Sequence, residues 1–131
     1  MHADAPSLFS RAAQVAAEYR LKVGELPVQP STGRVELDKA FGGPLPRDPT
    51  PAAEVVERLV AAAEPGLVAT VGPRYFGFVI GGASPAASAA DVLAVGWDQC
   101  AYNEVLSPSA AAAERAAGAW LKELLHLPES A

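Results

Sequence analysis

The chain reads as mainly α-helical, on three observations. Apolar residues recur at three- and four-residue spacing in four stretches, hydroxyl–proline pairs stand where three of those stretches begin, and alanine runs fill them. Half of the 131 residues are hydrophobic, which suffices for a core if the helices close on one another. No internal repeat or heptad pattern accompanies them.

The first helix is expected over roughly residues 6 to 23, with Leu8, Ala12, Val15, Ala16, Tyr19 and Val23 on one face and Gly24 as its stop. From Glu25 to Pro49 the sequence is dense in Pro and Gly. Gly42-Gly43-Pro44 and Pro46 break any period there, so a loop wandering over a surface is expected. The next three helices share one start device, a hydroxyl at the cap and a proline at the first helical position: Thr50-Pro51, Ser84-Pro85 and Ser107-Pro108. The second helix runs to about Glu64 and stops at Pro65-Gly66, with Val55, Val56, Leu59, Val60 and Ala63 as its buried stripe. The third reaches about Gln99 on a face of Ala86, Ala90, Leu93, Ala94 and Trp97. The fourth carries Ala113, Ala117, Trp120, Leu121, Leu124 and Leu125 before Pro128. Alanine-rich faces bury little area per residue, so they suit close packing against a large neighbour better than a self-sufficient core. The organisation expected is a first helix plus Pro/Gly-rich linker over 1–49 and a helical segment over 50–131.

Composition narrows the function classes. With 15 acidic against 10 basic residues, the latter scattered, the surface repels nucleic acid and anionic membrane. Cys100 stands alone, which excludes an internal disulfide, and His2 and His126 lie at opposite ends, so neither a metal centre nor a Ser-His-Asp or Cys-His hydrolase is expected. No apolar run approaches a membrane span, and the first residues lack the pattern of a secretory leader, which makes a cytoplasmic protein the expectation.

One stretch stands apart from the helices: Gly72-Pro73-Arg74-Tyr75-Phe76-Gly77-Phe78-Val79-Ile80-Gly81-Gly82. It gathers three of the nine aromatics without helical period, rigid at Pro73 and permissive at its glycines. That suits a loop lining a pocket, because its aromatics cannot all point one way. The competing reading is that Phe76 and Phe78 anchor the loop in a core. Tyr75 leans structural, and Gly81-Gly82 is a turn before it is an anion nest. Asp98 and Glu104 read as caps or solvent-facing acids, Cys100 as buried, and Trp97 and Trp120 as core packing.

The same landmarks in the same order carry a resemblance: Pro73-Arg74-Tyr75-Phe76 with Phe78 beyond, Ala90-Asp91, Trp97-Asp98-Gln99, then Ser107-Pro108 with Glu114 six residues after the proline. From about Phe41 to its last residue the chain resembles the pyridoxal-phosphate-dependent group II decarboxylases, in the region before their cofactor domain. One departure is Gly72, where many relatives have histidine. The resemblance implies the helical N-terminal segment of a fold-type I enzyme, whose full-length family is α/β and aminotransferase-like. It implies that Phe78, Val79 and Ile80 form one wall of a substrate pocket at a dimer interface. Relatives acting on aromatic amino acids have an aromatic residue at the Phe78 position, and those acting on glutamate a glutamine, so an apolar substrate side chain is favoured.

The family's Schiff-base lysine usually follows a histidine directly. Lys22, Lys39 and Lys122 do not, so no pyridoxal phosphate is expected on this chain alone. The sequence ends about where the family's phosphate-binding loop and large domain would begin, which makes a fragment or truncated product the expectation. Expected partners are a second copy or the remainder of a decarboxylase, with an amino-acid substrate only in the complete enzyme. The alternative is a stand-alone helical interaction module derived from that family.

Overall fold

A computed structural model describes residues 4–128 and 130. Five α-helices and one 3-10 turn run in the order α1 Ala5–Lys22, α2 Arg34–Phe41, α3 Ala52–Ala63, the turn Glu64–Gly66, α4 Pro85–Trp97 and α5 Pro108–Leu124, with no strand among the described residues. The mainly helical class is thus what the sequence folds into. The chain divides into two compact units, Met1–Pro85 and Ala86–Ala131.

In the first unit α1 and α2 each pack against α3. Helix α1 shelters Leu8, Arg11, Val15, Tyr19 and Val23, a repeat of three and four residues that puts them on one face. Ala12 and Ala16, expected on that face, are exposed, and the Arg11 stem takes their place beside α3. Arg20 and Lys22 in the last turn complement the helix dipole. Helix α2 corrects the expected loop. Within the Gly/Pro-rich stretch, Arg34-Val35-Glu36-Leu37-Asp38-Lys39-Ala40-Phe41 is a run of adequate helix formers, with Glu36 in the first turn, Lys39 in the last and an Arg34–Asp38 pair at 3.4 Å. Its contact with the rest is Leu37, so close to Gly66 that a β-carbon there would meet the leucine at 2.7 Å.

Helix α3 starts one residue later than expected. Pro51 is itself the cap, and no side chain accepts a cap hydrogen bond, so Thr50 does not play that part. Of its stripe, Val56, Val60 and Ala63 are sheltered, whereas Val55 and Leu59 face solvent. Beyond α3, the run 26–31 lies along 65–69, joined by the Ser31 amide to the Pro65 carbonyl (2.9 Å) and the Ala69 amide to the Val28 carbonyl (3.2 Å). Val23 and Ala69 are the buried apolar residues among those described.

The second unit holds α4 and α5. Ser107, 1% exposed, caps α5 as expected, accepting from the Ala110 amide at 3.3 Å. Its own amide donates to the Asn103 carbonyl, and the Leu106 amide to Asn103 Oδ1. Helix α5 ends in a Schellman motif: the His126 amide donates to the Glu123 carbonyl (3.2 Å) and the Leu127 amide to the Lys122 carbonyl (2.9 Å). His126 takes the left-handed conformation that glycine usually fills. The apolar faces expected to be buried are not. Leu93 and Trp97 on α4, and Trp120, Leu121 and Leu124 on α5, are all exposed, so the expectation of core packing for both tryptophans is corrected. Cys100 is exposed as well, in the 97–107 segment that joins α5 through Asn103 and the Glu104–Arg115 pair.

Total accessible surface is 10806 Å2. Two separately compact pieces of the lengths of the two units would expose about 7,800 Å2.

Candidate functional site

The Gly72–Ala83 loop of the first unit begins at a tight corner. A β-carbon on Gly72 would lie 3.1 Å from both the Ala69 and the Val23 carbonyl oxygens, so the chain passes there with almost no room for a side chain. From that corner Arg74 turns back and donates through Nη2 to the Gly24 (3.0 Å) and Leu26 (2.6 Å) carbonyls. Tyr75 is half-buried with its hydroxyl over Gly77, which fits the structural part expected of it.

Gly77 to Ile80 then form a turn closed by the Ile80 amide on the Gly77 carbonyl at 3.3 Å. Its two central residues, Phe78 and Val79, both have a φ of 54°, the left-handed pattern of a type I′ turn. Such turns normally take asparagine or glycine. A bulky and a β-branched residue there are outliers costing on the order of 1–3 kcal/mol each. The turn points its side chains outward: Phe76 and Phe78 are 92% exposed, Val79 wholly so, and Ile80 half-exposed. The alternative that Phe76 and Phe78 anchor the loop in a core is therefore overturned. The three residues read from the sequence as a pocket wall are contiguous at this tip, with nothing of the first unit in front of them. Gly81 and Gly82 have no positive φ, so they build no anion nest with their amides in that manner.

The other singled-out groups fall into structural roles. Asp98 follows α4 in a left-handed conformation and donates its amide to the Ala94 carbonyl (3.1 Å), ending the helix. Glu104 pairs with Arg115 at 3.4 Å. Arg11 and Glu57 form a two-pronged pair between α1 and α3 (2.5 and 2.9 Å). The hydrogen bonds from Arg11 hold the Glu57 carboxyl below the usual glutamate range, and those to Glu57 push the guanidinium up.

Residues able to hold a cofactor or metal are sparse. No group of three or more His, Cys, Asp or Glu converges among the described residues, and His2 lies outside them. A Schiff-base lysine needs a desolvated pocket with an acidic partner for the ring and an anion cradle. Lys22 and Lys39 are exposed on α1 and α2, and Lys122 stands on α5 along a shallow depression with Arg115 and Glu123. These surroundings do not fit pyridoxal phosphate. The better-formed groove, about 290 Å3, runs between Tyr19 and Lys22 on one side and Pro65 and Leu67 on the other, and contains none of Phe78, Val79 or Ile80. No helix among the described residues is long and apolar enough to cross a membrane.

The described residues thus present an exposed aromatic tip, and α4 and α5 leave apolar side chains open to solvent. Comparison with known proteins agrees with the class read from the sequence, since the chain is similar to plant aromatic-amino-acid decarboxylases. It is 28% identical over 114 residues to phenylacetaldehyde synthase of a Rosa hybrid cultivar, covering 87% of this chain and 22% of that protein. It is 26% identical over 114 residues to L-tyrosine/L-DOPA decarboxylase 2 of Lophophora williamsii, with the same coverage. It is 27% identical over 127 residues to tryptophan decarboxylase 1 of Oryza sativa subsp. japonica, covering 97% of this chain and 25% of that protein. The chain thus spans 22% to 25% of the length of these relatives. No family model and no solved structure matches it.

Proposed function

We propose that this chain is the N-terminal, dimer-forming part of a cytoplasmic pyridoxal-phosphate-dependent decarboxylase of aromatic amino acids, and that Phe78, Val79 and Ile80 supply one wall of the substrate pocket. The observation that carries the reading is the turn itself. Two residues poorly suited to left-handed backbone are held there and presented to solvent, a cost that makes sense where the tip enters a concave apolar site. A phenyl ring and an isopropyl group offer a substrate only apolar contact. Against them an aromatic ring gives up no hydrogen bond, whereas a glutamate carboxylate would give up its water without replacement, at several kcal/mol. The relatives named for phenylacetaldehyde, tyrosine, DOPA and tryptophan support the aromatic choice.

The open surface supports assembly. The surplus over two separately compact units is about 3,000 Å2, more than one subunit contributes to a typical obligate dimer interface, so cover by a further polypeptide body as well as a second copy is called for. In this reading the cofactor lysine and its chemistry belong to that other body. The chain alone is inactive.

Coexpression tests this directly. The chain is produced with the remaining three quarters or so of the Lophophora relative, and carbon dioxide release is followed from L-tyrosine, L-phenylalanine and L-glutamate. A complex active on the aromatic pair, with Phe78→Gln losing that preference, is the expected result. Failure to form a complex, or equal turnover of glutamate, would sink the reading. The chain by itself, mixed with pyridoxal phosphate, should give no stoichiometric, substrate-responsive Schiff-base absorbance.

A further inference from the structure

The aromatic loop is fastened at both ends to the same short stretch of chain. At its start, Arg74 Nη2 spans the carbonyls of Gly24 and Leu26, just beyond the C-terminal end of α1, where the helix dipole favours a cation. At its finish, Arg20, in the last turn of α1, donates through Nη2 to the Ala83 carbonyl at 2.9 Å. Two guanidinium groups therefore bring residues 74 and 83 onto the 20–26 stretch. The intervening chain closes on itself through the Gly77–Ile80 turn.

We infer that Arg74 and Arg20 are positioning residues: together they hold the Phe78–Val79 turn in its left-handed form and fix the direction in which its side chains point. Neither touches the tip. Their effect passes through the loop ends. A turn built on Phe-Val has a backbone that relaxes toward ordinary conformations once its ends are released, because the left-handed form is unfavourable for both residues. Helix α1 is, on this inference, the platform of the pocket wall as well as a packing element. The functional meaning rests on the decarboxylase reading above. The tethering does not.

The test uses the 131-residue chain alone and reads the Ile80 amide, which is bonded to the Gly77 carbonyl, by hydrogen exchange, together with chymotrypsin cleavage after Phe76 and Phe78. Arg74→Met, which keeps the stem and removes the donors, should speed both by about tenfold, the loss expected for hydrogen bonds to a charged donor. Amides in α3 and α5 should stay at their original rates, and Arg74→Lys, whose ammonium can reach two carbonyls, should restore much of the protection. Arg20→Met should give a smaller increase of the same kind. Unchanged Ile80 exchange in both Met variants overturns the inference. Should Arg74→Met unfold the unit, Arg20→Met decides, since it removes one surface bond: a folded Arg20→Met chain with a fully protected loop also overturns it. No partner polypeptide enters this measurement, so it fails or succeeds independently of the coexpression result.

Discussion

In the unit Met1–Pro85 each helix has something to lean on. Helix α3 receives α1 and α2, Arg11 crosses to Glu57, and Arg74 and Ser31 close the connecting segments. In the unit Ala86–Ala131, α4 and α5 present Leu93, Trp97, Trp120 and Leu121 to solvent, and what order there is comes from caps: Ser107 and Asn103 at one end of α5, the Schellman motif at the other. The difference teaches that helix formation and core formation are separable. Alanine runs, prolines at first positions and good caps specify α4 and α5 locally, whereas the burial that would normally stabilise helices of this length is not supplied within that unit.

The sharpest way to break that contrast is to put one charge in each unit. Val23→Asp should melt the first unit, because an unpaired carboxylate in a buried site costs several kcal/mol, read as loss of the cooperative thermal transition. Trp120→Asp should leave helix content unchanged, since exposed substitutions move stability by about 0.5 kcal/mol or less. It should weaken self-association about 30-fold, as an interface anchor does when removed, read by light scattering. A Trp120→Asp chain that unfolds would show that α5 is supported from within.

Next in size is the corner at Gly72. Gly72→His brings a β-carbon to 3.1 Å from two carbonyl oxygens, which forces the backbone to give way at a cost of about 1–3 kcal/mol, seen as a fall of several degrees in the melting midpoint of the first unit. An unchanged midpoint would mean that the corner is softer than its geometry. A fall of that size would mean that a chain with histidine at this place must take a different path through the corner.

The two units also differ in what their left-handed residues are for. His126 completes a helix end, a use that tolerates histidine, whereas Val79 is held in a turn that suits neither it nor Phe78. Glycine should therefore relieve more at 79 than at 126. Val79→Gly is expected to raise stability by about 1 kcal/mol and His126→Gly by less, measured by denaturant titration. Equal gains would remove the argument that strain is concentrated at the aromatic tip.

Legibility from the sequence followed the range of the signal. Ser107-Pro108 announced α5 because a cap and a first-turn proline act within three residues, and the same device marked the start of α4. Thr50-Pro51 failed as a cap because Pro51 itself is the boundary residue. Helix α2 was hidden by its neighbours: Gly33 before it and Gly42-Gly43-Pro44 after it made eight adequate helix formers look like part of a linker. The exposure of Phe78, Trp97 and Trp120 was beyond any local reading, since periodicity says which residues share a face and not whether anything covers that face. Arg74 and Arg20 left no sequence signal at all. Their partners are main-chain carbonyls 48 to 63 residues away, and a carbonyl has no letter.

The smallest expected effect concerns a lateral brace of the first unit, the two-pronged pair of Arg11 and Glu57 joining α1 to α3. The Glu57 carboxyl is held below its ordinary range by the hydrogen bonds from Arg11, so its folded value lies under its unfolded one. The stability it contributes is then fully present above the unfolded value, about 4.3, and disappears as the pH falls through the folded one. Both partners are partly open to water, which screens the pair and keeps the effect modest. Lowering the pH from about 6 to about 3 should therefore reduce the melting midpoint of the first unit more in the native chain than in Glu57→Gln, whose amide does not titrate in that range. Salt should shrink the difference. If Glu57→Gln shows the same acid dependence as the native chain, the brace is geometric only, and the packing of α1 on α3 rests on apolar contact.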